Sequence, residues 1–160
     1  MYKTDKQRKG SLPLYQYWYR KTQNNPNRFN KVIYRMMQFL YHVEIPYQAR
    51  IGRGLYIGHP YNITINPNAI IGENCNIHKG ITIGQENRGK RKGTPHLGDR
   101  VWIGINSTIV GGVKIGNDVL IAPNTFVNVD VPSHSVVFGN PCVIKAKSNA
   151  TDGYINNVVV

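Results

Sequence analysis

The sequence predicts an all-β domain: a parallel β-helix of stacked coils, preceded by a short helical segment and interrupted by one protruding loop. Three observations carry this. A branched aliphatic recurs at every sixth position, at Ile45, Ile51 and Ile57, then Ile65, Ile71, Ile77 and Ile83, then Leu97, Ile103, Ile109, Ile115, Ile121 and Val127. Four residues after these stands a second, mostly small or branched side chain, as at Ala49, Leu55, Ala69, Cys75, Ile81, Val101, Ser107, Val113, Val119, Thr125 and Val131. Gly follows the aliphatic at 52, 58, 72, 84, 98, 104 and 116, where a bend without a Cβ takes conformations closed to other residues. A six-residue period fits neither a helix nor an alternating strand, so each hexad reads as one wall of a triangular coil with its aliphatic on an axial core. Each wall strand then pairs with the coils above and below it.

Residues 1–42 do not follow the hexad and form the helical segment. Asn25-Pro26 reads as a helix start, after which Phe29, Val32, Ile33, Met36, Met37 and Leu40 make one apolar stripe. Upstream, LPLYQYWYR sets aromatics and an Arg beside a basic tail. That composition suits peripheral membrane contact, although docking on the coil or on a neighbouring subunit is the commoner role of such a segment.

The coil spans 43–132, and its rhythm breaks twice. Ile57 to Ile65 is a step of eight, so two surplus residues push a bend outward around His59, Pro60, Tyr61 and Asn62. Ile83 to Leu97 is a step of fourteen, and the inserted GQENRGKRKGTPH leaves the coil as an arm over 84–96. Insertions at corners keep the walls in register, and binding residues gather on them. Residues 133–160 are read as a cap, SHSVVFGNPCVIKAK, followed by a tail with no clear pattern and no assigned role.

At 160 residues the length suits one domain. Twenty Lys and Arg against eight Asp and Glu give a net charge of +12, which favours phosphates, acidic polymers or an anionic membrane face. Nucleic acid is not expected: no recognition module is present, and the basic residues cluster at the N-terminus and in ENRGKRKG. A phosphorylated cofactor explains that loop, and a plain solvated loop is the alternative. Cys75 and Cys142 have no metal-like spacing and read as reduced packing residues, so no metal is expected and the cytoplasm is the expected compartment. No apolar run reaches the length of a spanning helix, and the first residues lack the hydrophobic stretch of a secretory signal.

The segments VEIPYQARIGRGLYIGHPYN, NPNAIIGENCNI, VWIGINSTI and VPSHSVVFGNP resemble the left-handed β-helix, hexapeptide-repeat acyltransferases, and within them the serine acetyltransferase type. The resemblance covers about 43–145 and includes both rhythm breaks. It implies left-handed coils, a homotrimer with active sites between subunits, and acetyl-CoA as acyl donor. It also implies that His59 is the general base and that Glu44 orients it. Fifteen residues is a little short of one three-hexad turn, so Glu44 can lie near His59 in the neighbouring layer. An imidazole, with an ordinary pKa of about 6.5, suits proton abstraction near neutral pH, and a carboxylate on its other nitrogen sets the tautomer.

His78 falls one coil beyond the His59 corner; it is a candidate substrate contact with Tyr61 and Asn62, and an alternative base ahead of His42 and His134. In related sugar acetyltransferases the cofactor arm contacts positions that match Ile105, Pro123 and Asn128 here. A Lys of the family's phosphate site is replaced by Val129, so Lys145, Lys147 or the arm's Arg88, Lys90, Arg91 and Lys92 are candidates to take its place. The groups by which the serine type recognises its amino acid correspond to Gly58, Gly93 and Thr94, and His96 reads as the first residue of a wall. These departures make the leading expectation an O-acetyltransferase acting on a hydroxyl of a sugar or surface-polysaccharide precursor. Serine O-acetyltransferase is the alternative, and a non-catalytic scaffold is the competing class.

Overall fold

The computed structural model describes residues 12–156, 158 and 159. Helix α1 (Pro13–Asn24) and helix α2 (Arg28–Tyr41) precede fifteen short strands. These are β1 (Val43–Glu44), β2 (Arg50–Ile51), β3 (Tyr56–Gly58), β4 (Ile63–Ile65), β5 (Ile70–Ile71), β6 (Asn76–His78), β7 (Thr82–Gly84), β8 (His96–Leu97), β9 (Val101–Ile103), β10 (Thr108–Val110), β11 (Lys114–Ile115), β12 (Val119–Ile121), β13 (Phe126–Val127), β14 (Ser135–Phe138) and β15 (Val143–Ala146). They form three walls. The first wall stacks β1-β4-β7-β10-β13, the second β2-β5-β8-β11, and the third β3-β6-β9-β12-β14 with β15 at its edge. All pairings are parallel except β14 with β15, which closes the stack as an antiparallel edge.

Every hexad aliphatic from Ile45 to Val127 is buried, and so is each of the second-position side chains predicted with them. The axial core is therefore a column of isoleucines, each contributing about 1.5–3 kcal/mol of transfer free energy. Polar members of the column are satisfied internally: Ser107 Oγ and Thr125 Oγ1 both donate to the Ala122 carbonyl, at 2.9 and 2.6 Å.

The two rhythm breaks leave the register intact. Ile57 pairs with Ile77 and Ile77 with Ile103, so the surplus residues sit entirely in corners. A third departure escaped the periodicity: Ile115 pairs with Val131, not with a residue two places further on. Val131 thus takes an axial position and the last corner is shortened, with the Asp130 carboxylate accepting from the Lys114 amide at 2.7 Å.

The glycines after the aliphatics are explained differently from the expectation of unusual dihedrals. Gly52, Gly72, Gly98 and Gly116 form one column in which a Cβ on each would lie 2.2–2.7 Å from the next coil, so they permit close approach of backbones. Left-handed dihedrals fall instead on other corner residues, among them Asn62, Asn74, Asn106, Asp118 and Asn124.

The first coil has no coil beneath it, and its carbonyls need donors. The helices supply them. Tyr15, Gln16 and Tyr19 donate to Val43, Leu55 and Ala49 at 2.9, 3.0 and 2.7 Å, and Arg20 donates to Ile51 and Gly52, each at 2.6 Å. Tyr34 and Gln38 both donate to Ile45. Burial among these rings pushes the Tyr15 and Tyr34 hydroxyls up, so both stay protonated donors.

Helix α2 starts at Arg28 with Asn27 as its cap, whose side chain accepts from the Asn30 amide at 2.8 Å; the expected start at Asn25-Pro26 is two residues early. The predicted stripe is also corrected. Phe29, Val32, Met36 and Leu40 are exposed, and Asn30 and Tyr34 face inward, because coverage of the first coil requires donors there and not only apolar contact.

The tail has a definite course. Buried Asp118 accepts from the Thr151 hydroxyl at 2.7 Å, the Thr151 amide at 3.1 Å, the Ala150 amide at 3.0 Å and His134 Nδ1 at 2.8 Å. Further on, Asn76 donates to the Tyr154 carbonyl, and Asn74 exchanges two bonds with Val159, so the tail runs back along the third wall. Burial alone would raise the Asp118 carboxyl, but the bonds from Thr151, His134 and Ala150 outweigh it and hold its pKa at about 2. A carboxyl lowered from its ordinary ~3.9 stabilises the folded state above that value and loses the contribution as pH falls toward 2. Asp118→Ala is expected to lower the thermal midpoint by about 4–8 °C and to reduce amide-exchange protection over 150–156 at pH 7; acidifying wild type to about pH 2 should reproduce the loss of protection, measured against the intrinsic exchange rate at that pH.

Candidate active site

The eight-residue step places His59 where no other coil has a residue. The other corners on this edge carry one left-handed residue, but here both His59 (φ 49°) and Asn62 (φ 52°) are left-handed, and the extra turn projects the exposed His59 outward. The loop is pinned from both sides: the Asn62 amide donates to the His42 carbonyl at 2.8 Å, and the Gly80 amide donates to the Tyr61 carbonyl at 3.0 Å. Tyr61 is exposed and its ring lies 5.1 Å from that of His42. Tyr61 and Asn62 share this corner with His59, one held by ring contact and the other by backbone bonding.

His78 lies beside this corner. Gly58 pairs with His78 across the two coils, and a Cβ on Gly58 would sit 2.6 Å from His78 Cδ2 and 2.9 Å from Nε2. The imidazole thus lies over the backbone immediately before His59. Its Nδ1 is 2.7 Å from the Ile103 carbonyl oxygen, which only accepts, so Nδ1 carries the proton and Nε2 has a free lone pair. The ring is half-buried between Tyr56 at 6.2 Å and Trp102 at 4.8 Å. Burial lowers its pKa most; the Ile103 bond opposes this, and the nearby His59 lowers it further.

Ile105 and Pro123 stand on the same edge as His59 in successive coils. The Asn106 amide donates to Lys79, the Asn124 amide donates to Ile105, and Gly104 packs so closely on Pro123 that a Cβ would lie 2.5 Å from its nitrogen. The edge is a continuous ridge leading away from His59. Asn128 lies at the far end of the first wall, at the corner that also carries the arm. There Glu86 bridges Gly93, and the Arg91 carbonyl accepts from Gly112 at 2.8 Å, which sets exposed Arg91 and Lys92 against the coil. Lys145 is exposed on β15 with its Nζ 5.5 Å from the Phe138 ring. The cofactor candidates consequently divide between two corners, with Lys145 at the closing end.

Glu44 is exposed on β1, opposite Thr64 of the next coil, and borders an open groove of about 530 Å³ with Lys31, Gln38, Phe39 and Tyr47. Among the described residues no hydrogen bond joins Glu44 to His59, so the expected pair is not formed within one chain. His96 occupies the second wall between Ile70 and Lys114 and remains a wall residue. Among the described residues no cluster of three or more metal-ligating side chains is present, and no helix is long and apolar enough to cross a membrane. Tyr56 and Trp102 were not anticipated. The coil-to-coil spacing that aligns Gly58 with His78 also aligns Tyr56, Asn76 and Trp102, so an alignment of the walls would have found them.

Three parallel walls with this repeat define a hexapeptide-repeat β-helix, and residues 94–128 match the family described as bacterial transferase hexapeptide (six repeats). The serine acetyltransferase of Helicobacter pylori is 34% identical over 122 residues, covering 76% of this chain and 69% of that protein. That of Staphylococcus epidermidis is 36% identical over 111 residues, covering 69% of this chain and 52% of the relative. The crystal structure of Neisseria gonorrhoeae serine acetyltransferase in complex with serine superposes with a TM-score of 0.69 at 30% identity, over 82% of this chain and 54% of that one. The chain belongs to the hexapeptide-repeat transferase family of these serine acetyltransferases. It spans about half the length of several of the relatives it matches.

The tautomer at His78 is directly measurable. Nitrogen-15 correlation spectra are expected to show the Nδ1–H form, with a titration midpoint below about 6.5, because the folded environment disfavours the imidazolium.

Proposed function

We propose that this protein is an O-acetyltransferase that uses acetyl-CoA as donor and His59 as general base. The observation that carries this is the outward projection of His59 from the lengthened corner of the edge that also bears Ile105 and Pro123. In the proposed reaction His59 takes the proton of the acceptor hydroxyl as its oxygen forms a bond to the thioester carbonyl carbon. The tetrahedral intermediate collapses with cleavage of the carbon–sulfur bond, and the imidazolium returns the proton to the departing thiolate. No covalent acyl-enzyme is needed. Cys75 is buried in the core, which supports direct transfer.

When bound, acetyl-CoA supplies the activated acetyl group. Ile105 and Pro123 are proposed to border its pantetheine arm and Asn128 its far end, with Lys145, Arg91 or Lys92 meeting the phosphates. Glu44 is proposed as the orienting carboxylate: it stands one coil beneath Thr64, in the strand that follows the His59 corner, has no hydrogen-bonded partner among the described residues, and is proposed to turn toward the imidazole in the assembled, occupied site. The assembly is proposed as a homotrimer with each site completed by a neighbour. The exposed stripe of α2, flanked by Arg28, Lys31 and Arg35, is proposed to meet another subunit or an anionic membrane surface.

L-Serine is the acceptor that the named relatives support. A sugar or glycan hydroxyl has no relative behind it, but one observation favours it: the space beside residue 58 is filled by a neutral imidazole and not by a carboxylate that would hold an ammonium group.

Acetyl-CoA-dependent thiol release, measured with L-serine and with a panel of sugars, tests the reading. His59→Ala is expected to reduce turnover about 10²–10⁴-fold with the fold intact, and Glu44→Gln about tenfold. Absence of both acetyl-CoA binding and turnover would instead establish the scaffold alternative.

A further inference from the structure

We propose that His78 reads a second hydroxyl of the acceptor: its Nε2 accepts a hydrogen bond from a polyhydroxylated, sugar-class molecule while His59 engages the hydroxyl to be acetylated. This rests on the O-acetyltransferase reading and specifies its acceptor. The Nδ1–H···O bond to Ile103 at 2.7 Å fixes the tautomer and leaves the lone pair on Nε2, which lies beside Gly58. Among the described residues no donor meets that atom.

The ring has little freedom. Trp102 and Tyr56 flank it, and it occupies the volume that any side chain at 58 would need. Its Nε2 would stand 2.9 Å from a Cβ of the residue just before His59, and the two imidazoles are close enough to influence each other electrostatically, which sets this lone pair beside the proposed base. Gly58 is therefore a specificity position: its missing side chain is what admits the imidazole.

The charge balance selects the donor. Among the described residues no carboxylate is hydrogen-bonded to His59 or His78, and burial with a second imidazole alongside keeps His78 neutral. A neutral acceptor atom pairs well with a hydroxyl, whereas an ammonium brought against His78 loses hydration without an anionic partner on that ring. A site built around one such bond discriminates strongly against analogues lacking the hydroxyl.

The test uses the full chain with acetyl-CoA, a panel of hexoses and N-acetylhexosamines, their deoxy analogues and L-serine. For wild type, KM for a productive sugar is expected to rise at least about tenfold on removal of one neighbouring hydroxyl. His78→Phe keeps ring packing and removes the lone pair; it should raise KM for the intact sugar about 10–100-fold, change kcat less than about threefold, and cost the deoxy analogue less than about twofold. His78→Gln, which restores an acceptor, should recover part of the loss and carries the comparison if the Phe variant fails to fold.

Equal KM for intact and deoxy sugars, or turnover of L-serine alone, would overturn the inference and leave the acetyltransferase standing. A hundredfold fall in kcat at unchanged KM in His78→Phe would also overturn it, making His78 the base. Failure to bind acetyl-CoA, seen by calorimetry, would overturn the underlying reading and this one together.

Discussion

Coil must stack on coil with aliphatic above aliphatic, and every other feature of this chain accommodates that constraint. Three walls of six residues return the backbone to its starting edge, so pairings such as Ile65 with Ile83, or Leu97 with Ile115, recur at a fixed offset. A column of buried isoleucines supplies the driving force, and the parallel ladders fix the offset because a slip of one residue would turn the aliphatics outward. Surplus residues therefore have one place to go. They leave at corners, and the site is made from what leaves.

The corner at His59 shows how a packing rule becomes chemistry. Two additional residues force two left-handed turns where neighbouring coils have one, and the imidazole is carried out of the wall into solvent. One coil away the opposite demand operates: Gly58 has no side chain, and His78 folds into the vacated space with its tautomer set by the Ile103 carbonyl of the next coil. The two histidines are adjacent because wall register aligns residues 58 and 78, yet one is exposed and the other half-buried. Their different surroundings suit them to different tasks.

The ends of a stack are its weak points, since backbone groups there have lost a neighbouring coil. At the beginning, tyrosine, glutamine and arginine side chains of α1 and α2 answer the exposed carbonyls, which explains why the inward helix surface is polar and part of the apolar surface is left outside. At the other end β15 reverses against β14, and the tail is anchored at ionised, buried Asp118 before it runs back along the third wall to Asn76 and Asn74. A carboxylate with four donors anchors the start of this segment beside buried Ala150 and Thr151.

The hexad, its two lengthened steps and the arm were legible in the linear order of residues, because an axial core demands an aliphatic at each turn and any surplus shows as a missed beat. The same reasoning set His59 on the lengthened step, whereas Ile105 and Pro123 were indicated only by the family resemblance. What the order could not convey is which side chains meet between coils. The shortened corner at Val131, the inward surface of α2, the tail on Asp118 and the enclosure of His78 by Gly58, Tyr56 and Trp102 each depend on contacts between residues far apart in the chain. Periodicity determines where a wall bends; only the stacked coils decide what faces the bend.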